Sequence, residues 1–555
     1  MTSAASAKHA PSTPKLIAMA VPFLGVMGAI QGSAPNINST ALVSLTRDLN
    51  MGGGEVALAA SLQTIAIAAS VITTGLLADR LGRRKVLLAA LIVGAAGSAV
   101  SGLAPASAIY FLGQILTGIG LGAVYGAAFG YIHAVAKPGK LASALGVFGA
   151  TIGLTTLIIT FLGGTLVGVN WRLGFFVITV FSVICFLLVP WILPGIATIK
   201  SASLDVVGQV LLAVGIIGFL YGVSQLGKSL TSPETLVPLL AGAAVLAAFF
   251  VFEAKSKGAF YPVSLFKSPV FIAAVLAGFI YNYGTSVAFL QSTNLWQYVT
   301  GVSTREVAIW QVPLVAAGII GALLTGRQMA KGLSNRTALL IGTVMSVVGF
   351  ALLAVVNSQK SFLAFLPGSI LAGAGLVIVS IPFGNLIIKE APPAQYGPVT
   401  SSRTTIGQFW YSIGFAISTV VVDKLTMGGV TSKLTEAGVQ PDMISTATSS
   451  ITQYVKTGDE PTTQLGKQAL TDAASSYGSA YLTVMLISAA FMLLAGIVAV
   501  LLLRKAHSEA EGPAKTDPTS LLVGASASAA GGVATTGGSS AGQAPSSSSD
   551  PGKGN

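Results

Sequence analysis

The chain has 555 residues, of which 53% are hydrophobic and only 9% charged, where a soluble globular domain carries about 25% charged residues; its mean hydropathy of +0.79 also excludes the soluble class. Apolar runs of about 18 to 25 residues recur along nearly the whole length, each able to cross roughly 30 Å of hydrocarbon as a helix, which excludes a barrel of short alternating strands. The net charge of +12 comes from Lys and Arg scattered through short loops, so nucleic acid is not an expected partner. What remains is an all-α membrane protein, and 65 glycines suit it, because small residues let helices in lipid approach closely. One cysteine, Cys185, lies within an apolar run and offers no disulfide framework and no thiolate metal site. No cofactor and no metal are expected.

Residues 1–15 are polar and lack the charged start, short apolar core and cleavage site of a signal peptide, so the first helix is expected to stay in the membrane. Fourteen spans follow, near 16–45, 55–77, 86–104, 108–131, 141–168, 173–194, 205–226, 235–253, 270–294, 306–327, 337–356, 361–388, 401–422 and 479–503. They divide into a bundle over 16–200, an inserted pair over 201–258 and a bundle over 259–505 that includes a Thr/Ser-rich extracytoplasmic loop at 424–478. From 506 to 555 the composition is Ser, Gly, Ala and Pro without periodicity, the signature of a disordered tail. Positive loops stay cytoplasmic. Placing the N-terminus inside puts 21 of the 30 Lys and Arg on that side, among them Lys137, Lys140, Lys255 and Arg327. Both termini are therefore expected in the cytoplasm, in an inner (plasma) membrane whose Ala- and Gly-rich protein suits a bacterium.

Between the second and third spans stands Gly75-Leu-Leu-Ala-Asp79-Arg80-Leu-Gly82-Arg83-Arg84-Lys85. The glycines permit a tight turn and close helix approach, while Asp79 can cap a helix and pair with an arginine at the rim. A worn copy occurs at Gly326-Arg327-Gln328-Met329-Ala330-Lys331-Gly332-Leu333, with Ala330 in place of the acid, as expected of two related halves. The first stretch resembles the cytoplasmic loop signature of the major facilitator superfamily, and fourteen spans make the chain similar to its drug/proton antiporter branch. Arg47-Asp48-Leu49 closing the first helix and Trp171-Arg172 opening the sixth agree. The resemblance implies a major facilitator fold of two six-helix bundles plus an inserted helix pair, with 14 transmembrane helices, working as a monomer. It also implies that Gly75, Asp79, Arg80, Gly82, Arg83 and Arg84 gate the cycle by latching the halves in the outward-facing state.

Three departures from the branch stand out: Ala34 where it carries an acid, Gln114 where it carries an arginine, and Ile159-Thr160 where it carries Gly-Pro. Independently of any resemblance, none of the eighteen Asp and Glu residues falls near the middle of a span, although ionisable groups there usually mark ion pathways. The residual candidates for proton coupling lie at the rim, Asp48 and Glu306 foremost. Neutral polar and aromatic side chains then have to line the cavity: Gln31, Asn36, Asn38 and Gln114, then Tyr281, Asn282, Tyr283, Gln291, Asn294 and Trp296, then Gln408, Trp410 and Tyr411. Each amide alone fits interhelical hydrogen bonding equally well; as a group they suit an uncharged or amphipathic ligand.

The expected function is secondary active export of amphiphilic or lipophilic small molecules by alternating access, in the form of proton-coupled multidrug efflux. Small amphiphiles, protons and membrane lipids are the expected partners. Dedicated export or flipping of a lipid-like molecule is the alternative, and a non-transporting sensor or scaffold the alternative of another class. An enzyme is not expected, with histidines only at 9, 133 and 507 and no catalytic cluster inside the spans.

Overall fold

In hydrocarbon every backbone N–H and C=O must be paired within the protein, and the chain meets that demand with helices. The computed structural model describes residues 14–511 apart from 52, 138, 196–204, 227–229, 257, 303 and 458–459. In order the helices are α1 (Pro14–Asp48), α2 (Gly53–Leu81), α3 (Arg83–Leu103), α4 (Ser107–Val135), α5 (Leu141–Val169), α6 (Trp171–Ile192), α7 (Val206–Gln225), α8 (Pro233–Lys255), α9 (Pro269–Tyr298), α10 (Thr304–Ala330), α11 (Asn335–Val355), α12 (Phe362–Glu390), α13 (Tyr396–Glu436), α14 (Pro441–Thr457) and α15 (Gln464–Glu511). Among the described residues no strand occurs, and thirteen stretches, on helices other than α1 and α14, are long and apolar enough to cross a membrane. α1 packs in the same bundle, against α4, α5 and α6.

Two buried clusters organise the bundle. One joins α1 and α3–α6; the other joins α9, α11–α13 and α15 and draws in α7, α8 and one face of α2. The two halves repeat each other's packing. In the first half a Cβ on Gly120 of α4 would stand 2.6 Å from the Cα of Gly94 on α3, and in the second a Cβ on Gly375 of α12 would stand 2.7 Å from the carbonyl oxygen of Gly342 on α11. Such spacing forbids any side chain and lets backbones meet. The inserted pair α7–α8 rests against α2 and α13, with Phe219 stacked on Phe409 at 5.0 Å. Its ends are tied by Asp205, which accepts the Gly208 N–H at 2.8 Å, and by buried Glu253, which accepts the Tyr261 N–H at 2.9 Å.

One expectation needs correction. The 424–478 segment, read as a loop, is largely helical: α13 runs on to Glu436, α14 follows, and α15 already begins at Gln464. Val430, Leu434, Ile444, Ala447, Ile451, Ala469 and Ala473 bury one another. Their spacings of three, four and seven are helical, but frequent Thr and Ser between them disguise the pattern. The tails expected at 1–15 and 506–555 lie outside the described residues except for the start of α1 and the end of α15.

Candidate functional site

The glycine-rich loop motif forms a latch between the halves. Gly82 joins α2 to α3 with φ 98°, a conformation that glycine alone takes without strain. Asp79 and Arg83, both buried, form an ion pair one helical turn apart, and Asp79 also accepts the N–H of Gly397 at the start of α13. The Arg83 guanidinium lies 5.0 Å over the Tyr396 ring. A Cβ on Gly75 would stand 2.6 Å from the Gly397 carbonyl oxygen, so the two backbones touch where the motif needs glycine. Arg84 donates to the Pro190 carbonyl at 2.8 Å and Arg80 is half-buried. The worn copy does the same on the other side of the seam. Gly326 of α10 meets α5, with its Cβ position 2.8 Å from the Ala142 carbonyl oxygen and 2.9 Å from the Gly146 Cα, and Gly332 turns the chain into α11 with φ 113°.

Two glycine interlocks, α2 on α13 and α5 on α10, thus close one end of the seam, the end where Arg80, Arg83 and Arg84 lie. Further along the same face of α5 the helices part. A Cβ on Gly153 would still meet Ile319 at 2.9 Å, Thr156 and Thr160 face a cavity, and at Gly164 nothing lies within 4 Å.

That central cavity measures about 320 Å³, within the range of small-molecule sites. Its walls come from both halves: Gly28, Gln31, Gly32 and Asn36 of α1, Tyr125 and Phe129 of α4, Phe148 to Thr160 of α5, Tyr281, Asn282 and Phe289 of α9, Gln311 to Ile319 of α10, and Arg403 to Gln408 of α13. Tyr125, Phe129 and Phe148 form an aromatic cluster with centroids 6.0 to 6.5 Å apart. Among the described residues no Asp or Glu lines it. Arg403 does. Its guanidinium lies 4.7 Å from the Phe129 ring centre and 4.9 Å from that of Phe383, donates to the Tyr125 hydroxyl, and has no carboxylate partner among the described residues.

Of the thirteen side chains expected around the cavity, Gln31, Asn36, Tyr281, Asn282 and Gln408 line it. The other eight do not. Asn38 is buried, donating to the Ala59 carbonyl at 2.7 Å and accepting from the Tyr110 hydroxyl; Gln114 donates to Ser101 Oγ at 2.9 Å. Tyr283 pairs with Ser488 Oγ at 3.1 Å, and Gln291 donates to Ser418 Oγ at 2.9 Å and accepts from the Tyr477 hydroxyl at 2.8 Å. Trp296 is sealed between Trp310 and Phe365, Trp410 packs edge-on to Phe279 at 5.0 Å, and Asn294 and Tyr411 are half-buried off the cavity wall. Asn38, Gln114, Tyr283 and Gln291 thus bond helix to helix, as buried amides and hydroxyls in lipid favour, whereas the Trp296 indole N–H has no partner among the described residues.

The rim acids separate in the same way. Asp48 accepts from Arg172 and from the Trp171 indole, both at 3.1 Å, and Arg172 also donates to the Ala104 carbonyl at 2.6 Å, stapling α1 to α6 and to the end of α3. Glu306 is exposed in the first turn of α10. The apolar run of this span starts near 401, which sets Arg403 at its rim when judged by hydropathy alone. α13 in fact begins at Tyr396, which sets Arg403 two turns inside. A cation flanked by hydroxyls, Thr400-Ser-Ser-Arg403-Thr-Thr ahead of an apolar run, is the signal that could have revealed it.

Two helix bundles, paired glycine interlocks and a cavity on the seam between them define a polytopic membrane protein built from two related halves. The chain belongs to the major facilitator superfamily, whose family model matches residues 24–415. It is 29% identical over 344 residues to the multidrug transporter protein MdtP of Bacillus subtilis, a match covering 61% of this chain and 62% of that one. It is 25% identical over 369 residues to a multidrug resistance protein B homolog of Mycobacterium tuberculosis, covering 64% and 67%. The proton:xylose symporter XylE, solved with a bromodeoxyglucose bound, shares the fold with a TM-score of 0.54 at 13% identity, over 86% of this chain and 95% of that one. The chain spans about 62% of the length of the first of these relatives, and it is accordingly a multi-pass inner-membrane member of this superfamily.

Proposed function

We propose that the protein exports amphiphilic or lipophilic small molecules by alternating access, as a multidrug-type exporter. One observation carries this reading: a cavity with aromatic, amide and hydroxyl walls lies on the seam between the halves and is shut at one end by glycine interlocks on both sides. Rocking about a midplane site exchanges which end is shut, and mixed apolar and hydrogen-bonding walls accept varied amphiphiles. The multidrug names of the relatives agree with it.

Transport in this reading is driven by protons taken up outside the cavity, at the rim carboxylates Asp48 and Glu306. Protonating Asp48 would dissolve its pair with Arg172 and loosen the staple between α1, α3 and α6. The test is uptake of fluorescent efflux dyes into inverted membrane vesicles with an imposed proton gradient and a protonophore control. Gradient-dependent uptake is expected, and Asp48→Asn or Glu306→Gln should reduce that dependence. Uptake indifferent to both gradient and protonophore would remove proton coupling and leave a dedicated exporter or flippase; no uptake at all would remove export.

A further inference from the structure

The cavity has a charge and no carboxylate among the described residues to balance it. Arg403 stands two turns into α13, at a depth where a cation is costly, yet none of the described carboxylates pairs with it. Asp79, nearer the helix start, is already taken by Arg83 and the Gly397 N–H. What holds the guanidinium is aromatic: Phe129 and Phe383 lie within 5 Å of it and the Tyr125 hydroxyl accepts one N–H. Aromatic faces stabilise a cation without neutralising it. Arginine has five N–H donors in a planar fork. One of these goes to Tyr125, and Nε–H has no partner among the described residues. Elsewhere in the walls of the same cavity the hydroxyls of Thr404, Thr156 and Thr160 also have no partners among the described residues.

Resting on the exporter reading above, we infer that this site selects anionic amphiphiles, a carboxylate or phosphate head seated on Arg403 with hydroxyl support from Thr404 and Thr156, and an apolar body against Phe148 and Ile152. A guanidinium fork matches both head groups with paired hydrogen bonds. The absence of lining carboxylates makes a cationic drug the wrong ligand here, since it would place like charges in one low-dielectric cavity.

The test uses the purified full chain in a neutral maltoside detergent and two probes, a fluorescently tagged dodecanoate and the same molecule as its primary amide, with binding read by fluorescence anisotropy. The wild type should bind the carboxylate about tenfold or more tightly than the amide, as expected of hydrogen bonds to a charged group. Arg403→Gln should bring the carboxylate down to about the amide's affinity, and an unfolding midpoint in detergent near that of the wild type shows that the variant is folded. Arg403→Lys should keep part of the preference. Inorganic phosphate should compete only weakly, because it lacks the apolar body; competition as strong as that of unlabelled dodecanoate would overturn the amphiphile half of the inference. Equal binding of both probes by the wild type, or a preference that survives Arg403→Gln, overturns the anionic class and leaves the exporter reading standing. If neither probe binds while a neutral efflux dye is still transported, the anionic class falls alone; if nothing binds and nothing is transported, both readings fall.

Discussion

At Asp79 a single carboxylate meets two demands at once, the charge of Arg83 from its own half and the N–H of Gly397 from the other. Asp79→Asn preserves size and one acceptor but strips the charge, leaving a buried guanidinium whose loss of counterion costs about 3–5 kcal/mol. The expected result is a lower unfolding midpoint in detergent together with dye uptake reduced about tenfold or more. Adding Arg83→Gln should raise the midpoint again, because the double variant buries no lone charge. A midpoint and an uptake both at wild-type level in the single variant would show that the latch is ornamental. Tyr396 shares the load by lying under Arg83, so the cation is held from the α13 side even when the carboxylate is altered.

Among the helices, α1 shows how two like residues on one element part company. Gln31 and Asn38 are two turns apart on nearly the same face, both are amides and both are buried, yet Gln31 lines the cavity and Asn38 is spent on Ala59 and Tyr110. Gln31→Ala should therefore raise the KM for dye export several-fold with little change in thermal midpoint. Asn38→Ala should do the reverse, lowering the midpoint through the stability loss of about 1–3 kcal/mol that an orphaned buried hydroxyl costs, with KM near wild type. Opposite patterns from the two variants would mean that the cavity has been drawn around the wrong wall. The contrast also marks the limit of the sequence. Apolar length reveals helices, and the loop motif with its worn copy reveals two related halves, because both signals are local. Which amide faces water and which faces Tyr110 depends on a neighbour 72 positions away, and no spacing within α1 encodes that. Arg403 was hidden for a different reason, since its depth follows from where α13 starts, and helix starts in a Pro-rich stretch such as Ala391-Pro-Pro-Ala-Gln395 are poorly marked.

For the molecule as a whole, the interlocks at Gly75 and Gly326 close the same end of one seam from opposite sides, the products of a repeated half. In the alternating-access reading proposed above, each opens when the cavity turns to that end. Gly75→Ala and Gly326→Ala each wedge one side, and both should cut dye export while the protein stays folded. Made together they should fall short of the sum of the single effects, because the halves move as rigid bodies and a seam held ajar on one side no longer needs the other. Strict additivity in that double-mutant cycle would mean that the two contacts report on independent events.

The same seam has a long pointer attached. α13 begins at the latch and runs for 41 residues, about 62 Å at helical rise, roughly twice the hydrocarbon thickness. Its far third is bound to α14 and the start of α15 through Val430, Leu434 and Ile451. With its base held at Gly397, each degree of tilt displaces the far tip by about 1 Å. Small angular changes at its base are thus geared up into large excursions at the tip, where an antibody fragment or a pair of dyes could register them without touching the cavity.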